Sequence, residues 1–213
     1  MPNFIMNIRR VTKPGQEATL IDSAVETLKG SNVQGNVSFE VSTAALSDST
    51  VTNALLFDSL SDVEKLHDAV LSNPNAAHTQ LYYATNGLAS KVTTTLYRII
   101  DPIEPGPDDQ PGPGKYMSRM LLMAKRGEAS NLLSTLQGIR SNIPGRKPMI
   151  NMAVAGNPDL VRIVAMYRSL EEFQTEQERR RQSDEMKSAV GQIGGLTTMV
   201  RSTLARVVSN TMA

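Results

Sequence analysis

Two hydrophobic periods take turns along the chain. From Phe4 to Val11 the positions alternate, with Phe4, Met6 and Ile8 on one side and Ile5, Asn7, Arg9 and Val11 on the other, as in a strand. Pro14-Gly15 interrupts it. Over Gln16 to Leu28 the period lengthens, and Ala18, Ile21, Ala24, Val25 and Leu28 fall on one helical stripe with Gly30 in the place of a C-cap. Val37, Phe39 and Val41 then alternate with Ser38, Glu40 and Ser42, a half-buried strand whose Glu40 is expected to face solvent. Ser47-Asp48-Ser49 turns the chain, and Thr52 to Phe57 returns as a strand. Ser59 or Ser61 caps a second helix with the stripe Val63, Leu66, Val70 and Leu71, which Asn73-Pro74-Asn75 ends. Ala76 to Asn86 has no clear period and reads either as a lid or as a surface helix. Leu88 to Ile100 is a long strand. The order βαββαβ is that of a ferredoxin-like unit.

Residues 101–114 then carry five prolines and three glycines in fourteen positions. Proline fixes φ and removes an amide donor, so neither a helix nor an interior strand continues through this connector. Beyond it the pattern returns. Tyr116 to Ala124 answers Phe4 to Val11, and Gly127 answers Gly15. Leu132, Leu133, Leu136 and Ile139 form the helix stripe, and Met149 to Ala155 and Leu160 to Tyr167 flank a turn at Gly156-Asn157-Pro158-Asp159. Ser169-Leu170-Glu171-Glu172-Phe173 opens a helix as Ser59-Leu60-Ser61-Asp62-Val63 does. Gly195-Leu196, Val200, Thr203-Leu204 and Arg206 repeat Gly87-Leu88, Val92, Thr95-Leu96 and Arg98. An internal duplication is expected. The domains are then residues 1–100 and 115–213, joined by 101–114. A lone unit covers one sheet face with helices, and the other face reads as too apolar to stay wet. The expected fold is therefore α+β: two tandem ferredoxin-like units forming a pseudo-dimeric α+β barrel.

Composition narrows the function classes. Net charge is +1, which gives no field that would favour nucleic acid or an anionic membrane. The absence of cysteine excludes disulfides, thiolate catalysis and Cys-based metal sites. No stretch approaches the ~18 apolar residues of a membrane span. The first residues lack the basic start and apolar run of a secretion signal, so a cytoplasmic location is expected. Eleven methionines and no tryptophan imply a pliable, aliphatic core. No HExxH, paired-carboxylate or nucleophile-elbow pattern is present. Gly191 to Gly195 read as turn glycines, and Glu176 to Lys187 as a solvated, charge-paired helix face.

The element order, the short helix after the first strand and the tandem arrangement resemble the dimeric α+β barrel superfamily, whose members include the antibiotic-biosynthesis monooxygenase-like proteins. The resemblance covers residues 4–100 and 116–208. It implies an oxygenase that oxidises or rearranges a polycyclic aromatic, polyketide-like substrate. It also implies either no cofactor or reduced flavin (FADH2 or FMNH2), the latter supplied by a flavin reductase. The alternative is a non-catalytic ligand-binding or stress-related barrel. Association of two chains into a homodimer is compatible with either.

Polar side chains on barrel strands and the two histidines are the candidate site residues. Asn7 matches the first-strand Asn of such oxygenases and would orient a phenolate or carbonyl; the plainer reading is a strand-end position. Arg119, among Met117, Leu121 and Met123, and Arg201, beside Met199, Thr203 and Ala205, suit an anion or enolate; the plainer reading is a salt bridge or a snorkelling side chain. An imidazole base must be His67, next to Leu66 on a helix, or His78 in the patternless segment. For His67 the plainer reading is a packed helix residue. Tyr82 and Tyr97 can offer a hydroxyl to a ligand, or simply pack. Asn7, Arg119 and His78 are the catalytic candidates, and Tyr97, Arg201, His67 and Tyr82 the substrate-binding ones. No metal is expected.

Overall fold

The computed structural model describes residues 1–41, 49–106, 114–143, 145–155 and 157–211. The first half contains β1 (Phe4–Thr12), α1 (Glu17–Gly30), β2 (Gly35–Glu40), β3 (Thr50–Phe57), α2 (Leu60–Ser72), α3 (Ala77–Gly87) and β4 (Ala89–Asp101). The second contains β5 (Tyr116–Ala124), α4 (Ala129–Asn142), β6 (Met149–Ala153), β7 (Leu160–Tyr167), α5 (Leu170–Gln182), α6 (Asp184–Leu196) and β8 (Thr197–Asn210). The strand order β1-β3-β2-β8-β5-β7-β6-β4 closes as a barrel, and the fold is α+β. The order contains β4-β1-β3-β2 and β8-β5-β7-β6, the same fourth-first-third-second sequence twice. Two compact units result: Met1–Arg98 with Ala205–Ala213, and Ile99–Leu204. Part of the predicted connector, residues 107–113, and most of the turn before β3 lie outside the described residues, as does Gly156.

Equivalent devices begin the elements of both units. Gly15 and Gly127 follow β1 and β5 with φ of 78° and 84°, a left-handed conformation that favours glycine. Ser59 caps α2 by accepting from the Asp62 N–H, and Ser169 caps α5 by accepting from the Glu172 N–H. At the end of α1, by contrast, the left-handed residue is Asn32 (φ 55°), and Gly30 is still helical.

Two segments differ from their periodicity. Ala76 to Asn86 folds as α3, because its buried face is made of Thr79 and Thr85 rather than aliphatic residues, and a hydrophobic pattern does not register it. The Thr85 hydroxyl lies 2.7 Å from that of Ser23 and 2.9 Å from that of Thr27, tying α3 to α1. The glycines of 191–195 are not in a turn. They lie in α6, where Ile193 and Leu196 pack on the unit's core and Ala189 is buried, so packing overrides weak propensity. The charged run divides at Ser183, which caps α6; α5 before it buries no residue and carries Glu176–Arg179 and Glu176–Arg180 pairs.

In the first unit Met6, Ile8, Val37, Val51, Leu55 and Phe57 pack with Leu20, Ala24, Leu28 and Val63 of the helices. In the second, Leu122, Ile150 and Val161 pack with Leu132 and Leu136. The reverse face of the first sheet is buried and mixed: Ile5, Val11, Ala54 and Tyr97 lie on it, as expected of an apolar face, together with polar residues. Asn36, Ser38, Glu40, Thr50 and Thr52 share it by register and are all buried. Glu40 does not reach solvent; it lies 3.7 Å from Arg9, which also donates to the Thr50 hydroxyl.

Arg140 of α4 anchors the start of the connector within the second unit. Its guanidinium donates to the carbonyls of Pro148 (2.8 Å) and Pro102 (2.7 Å) and to Glu104 Oε1 (2.8 Å). That hydrogen bond holds the Glu104 carboxyl below the usual carboxylate range. Arg140→Ala should lower unfolding free energy by about 3 kcal/mol, since it orphans buried carbonyls. The exposed Lys65→Ala should stay within about 0.5 kcal/mol. For Glu104 the folded pKa is depressed, so its contribution is present above the unfolded value and lost as pH falls through the folded one. The stability difference between the protein and Glu104→Gln should therefore shrink below about pH 4.3, measured by denaturant titration across pH.

Candidate functional site

A cavity of about 340 Å³ opens on the helix-covered side of the first unit. Its floor is Met6 and Ile8 of β1, Asn53 and Leu55 of β3, and Thr94 of β4. Helix α1 gives Thr27 and Leu28, α2 gives Leu66, His67 and Val70, and α3 gives His78, Tyr82 and Tyr83. The local sequence explains the convergence. On α2 His67, an exposed residue, adjoins the apolar stripe Leu66–Val70, and on α3 the face that includes Tyr82 also carries the buried Thr79 and Thr85. Both histidines of the chain therefore meet in one mostly apolar cavity, the usual form of a small-molecule site. Among the described residues no cluster of His, Asp and Glu can hold a metal.

Behind this wall lies a residue that the candidate list above omits. Arg10 is fully buried on the same face of β1 as Met6 and Ile8. Its Nε donates to Asn86 Oδ1 at 2.8 Å and its Nη1 to Asn53 Oδ1 at 2.6 Å, and its guanidinium carbon is 5.8 Å from the centre of the Tyr82 ring. Asn53 is itself fixed, donating through Nδ2 to the Ala24 carbonyl. Nη2 of Arg10 is buried and has no hydrogen-bond partner among the described residues, and no carboxylate pairs with the group. Burial lowers the Arg10 pKa to about 10, with Tyr82 partly opposing, so the group stays cationic at neutral pH. The strand period contained this signal: extending Phe4, Met6 and Ile8 by two positions reaches Arg10.

The other candidates lie elsewhere. Asn7 and Tyr97 sit on the reverse face of the first sheet; Asn7 pairs with Thr95, and Tyr97 pairs with Ile5 two positions along. Asn7 Oδ1 is buried with no hydrogen-bond partner among the described residues, and Tyr97 is 4% exposed. Arg119 is buried on β5 of the second unit, on the face opposite to that unit's helices, with its Nε 3.2 Å from Met117 Sδ. Arg201 is solvent-exposed on β8. Neither Asn7 nor Arg119 lines the cavity, which gathers only His67, His78 and Tyr82 from the seven.

No family model matches the chain, and no curated protein is similar to it. Solved structures are. An anthrone oxidase-like protein matches with a TM-score of 0.70 and 14% identity, covering 98% of this chain and 92% of its own. A proposed monooxygenase from Fusobacterium nucleatum subsp. nucleatum matches at 0.68 and 9%, covering 99% and 95%. Another, from Lactobacillus acidophilus NCFM, matches at 0.64 and 12%, covering 97% and 95%. The fold is that of the dimeric α+β barrels. In each comparison nearly the whole chain takes part, so the correspondence with these α+β barrels extends over both units.

Burial makes the charge of Arg10 costly to the fold. A cation whose folded pKa is lowered costs stability at every pH below the folded value. The lowering to about 10 corresponds to a cost on the order of a few kcal/mol relative to the neutral group. Arg10→Leu removes that charge but orphans the Asn53 and Asn86 side-chain carbonyls, so the melting temperature should change by no more than a few degrees in a calorimetric scan. A larger fall in melting temperature would show that the guanidinium is a structural strut.

Proposed function

We propose that the protein is a monooxygenase-like α+β barrel whose first-unit cavity oxidises an aromatic small molecule. The observation that carries this reading is the convergence of His67, His78 and Tyr82 on one apolar cavity. The likeness in fold to an anthrone oxidase-like protein supports it. A flat polycyclic aromatic, such as a polyketide intermediate, suits walls built from Leu28, Leu66, Val70 and Tyr82.

The chemistry follows from the groups present. An imidazole of His67 or His78 takes the proton of an acidic ring CH2, leaving a carbanion delocalised as a phenolate. Dioxygen adds at that carbon, and the protonated imidazole returns the proton to the peroxide. The hydroperoxide then loses water to leave C=O. One oxygen atom enters the product, the other leaves as water, and the CH2 carbon gives up four electrons.

Reduced flavin does not fit as a resident cofactor. The cavity lies at the lower end of the ~300–1,000 Å³ range for small ligands, which suits a lone aromatic ligand better than a flavin nucleotide. No step is routed through it. An ancestral duplication remains our reading of the shared element order.

Oxygen uptake with anthrone as substrate, followed by mass spectrometry of the product, tests the proposal. Removing the imidazole base by His67→Ala or His78→Ala should cost about 10²–10⁴-fold in rate for the residue that acts as the base. Val70→Trp, which fills the cavity, should abolish uptake. Saturable binding with no oxygen consumed would instead favour the non-catalytic barrel.

A further inference from the structure

We propose that Arg10, buried behind the lining of the first-unit cavity, selects anionic ligands for it, with its unpartnered Nη2 donor taking a carboxylate or phenolate oxygen of the bound molecule. This deepens the proposed function and rests on that cavity being the ligand site. Three observations carry it. The guanidinium is fully buried, yet its neighbours are neutral: two Asn side-chain carbonyls and the face of Tyr82. A buried charge without a counter-charge is costly, so either something else supplies the anion or the fold has kept a defect. Next, Nη2 has no hydrogen-bond partner among the described residues, while Nε and Nη1 are well bonded. Finally, two of the groups that hold Arg10, Asn53 and Tyr82, are themselves cavity lining.

The second unit shows that the scaffold does not require this cation. Lys13 donates its N–H to the Leu88 carbonyl, as Lys125 does to the Leu196 carbonyl, which puts the two units in register. In that register Arg10, opposite Val51, corresponds to Leu122, opposite Val161, and Asn53, opposite Ile8, corresponds to Ile163, opposite Met120. Asn86 corresponds to Gly194 and Tyr82 to Val190, counting back from Leu88 and Leu196. Each polar member of the Arg10 cluster thus has an apolar or side-chain-free counterpart, and Leu122 is as fully buried as Arg10. A purely structural strut would be expected at both places. In the first unit the cluster stands next to the cavity, two of its members, Asn53 and Tyr82, being part of the lining.

Calorimetric titration with a matched pair of probes tests this: 2-naphthoate, an anion, and 2-naphthamide, its neutral analogue. The full chain should bind naphthoate at least tenfold more tightly. Arg10→Leu should bind the two within about twofold of each other, and Arg10→Lys should keep part of the preference. Val70→Trp should lose both ligands. Equal binding by the unaltered protein overturns the proposal and leaves the cavity reading standing, as does a preference that survives in Arg10→Leu. Binding of neither probe, or binding indifferent to Val70→Trp, overturns both. Should Arg10→Leu fail to fold, an Arg10→Lys variant that folds and loses none of the preference overturns the proposal as well.

Discussion

An arginine buried without an acid is the constraint around which the first unit is arranged. Water is a far better solvent for a guanidinium than any protein interior, so Arg10 has to be held. Asn53 and Asn86 hold it from β3 and α3, and Tyr82 covers it. Those same contacts fix where α3 lies on the sheet, with the Ser23–Thr27–Thr85 hydroxyl cluster securing its other side. Once α3 is fixed, His78, Tyr82 and Tyr83 face His67 across a cavity that Leu28, Leu66 and Val70 keep apolar. The site's geometry is thus a consequence of how one charge is accommodated.

The two units divide the work of folding differently. In the second, aliphatic residues and Gly194 occupy the positions of the Arg10 cluster, and a polar anchor is provided by Arg140, which ties Pro102 and Glu104 to the start of β6. In the first, polar residues are buried on both faces of the sheet. Arg9 meets Glu40 on the reverse face, while Arg10, the next residue, is on the helix side with no acid. Adjacent arginines point to opposite faces because side chains alternate along a strand. Their different fates come from what each face offers.

Much of the architecture was legible in the order of residues. Alternation located the strands, Gly15 and Gly127 and the caps Ser59 and Ser169 placed the turns and helix starts, and the repeated βαββαβ pattern pointed to the barrel. What escaped was polar burial. A helix whose buried stripe is Thr79 and Thr85 has no hydrophobic signature, and a strand that ends Met-x-Ile-x-Arg looks like one running out to solvent. Gly191, Gly194 and Gly195 were misleading for the converse reason, since Ile193 and Leu196 carry enough packing to keep them helical. For the site, His67, His78 and Tyr82 were within reach because imidazole is scarce in this chain. Asn7 lies on the face of β1 that alternation assigns to it, and Tyr97 shares that face; which face lines a cavity is what sequence alone leaves open.

The most direct test is a crystal structure of the protein with 2-naphthoate bound. The account requires the ring system between α1, α2 and α3, with a carboxylate oxygen roughly 2.9 Å from Arg10 Nη2. A naphthoate seated on any other surface, or one in the cavity with its carboxylate turned away from Arg10, would contradict it.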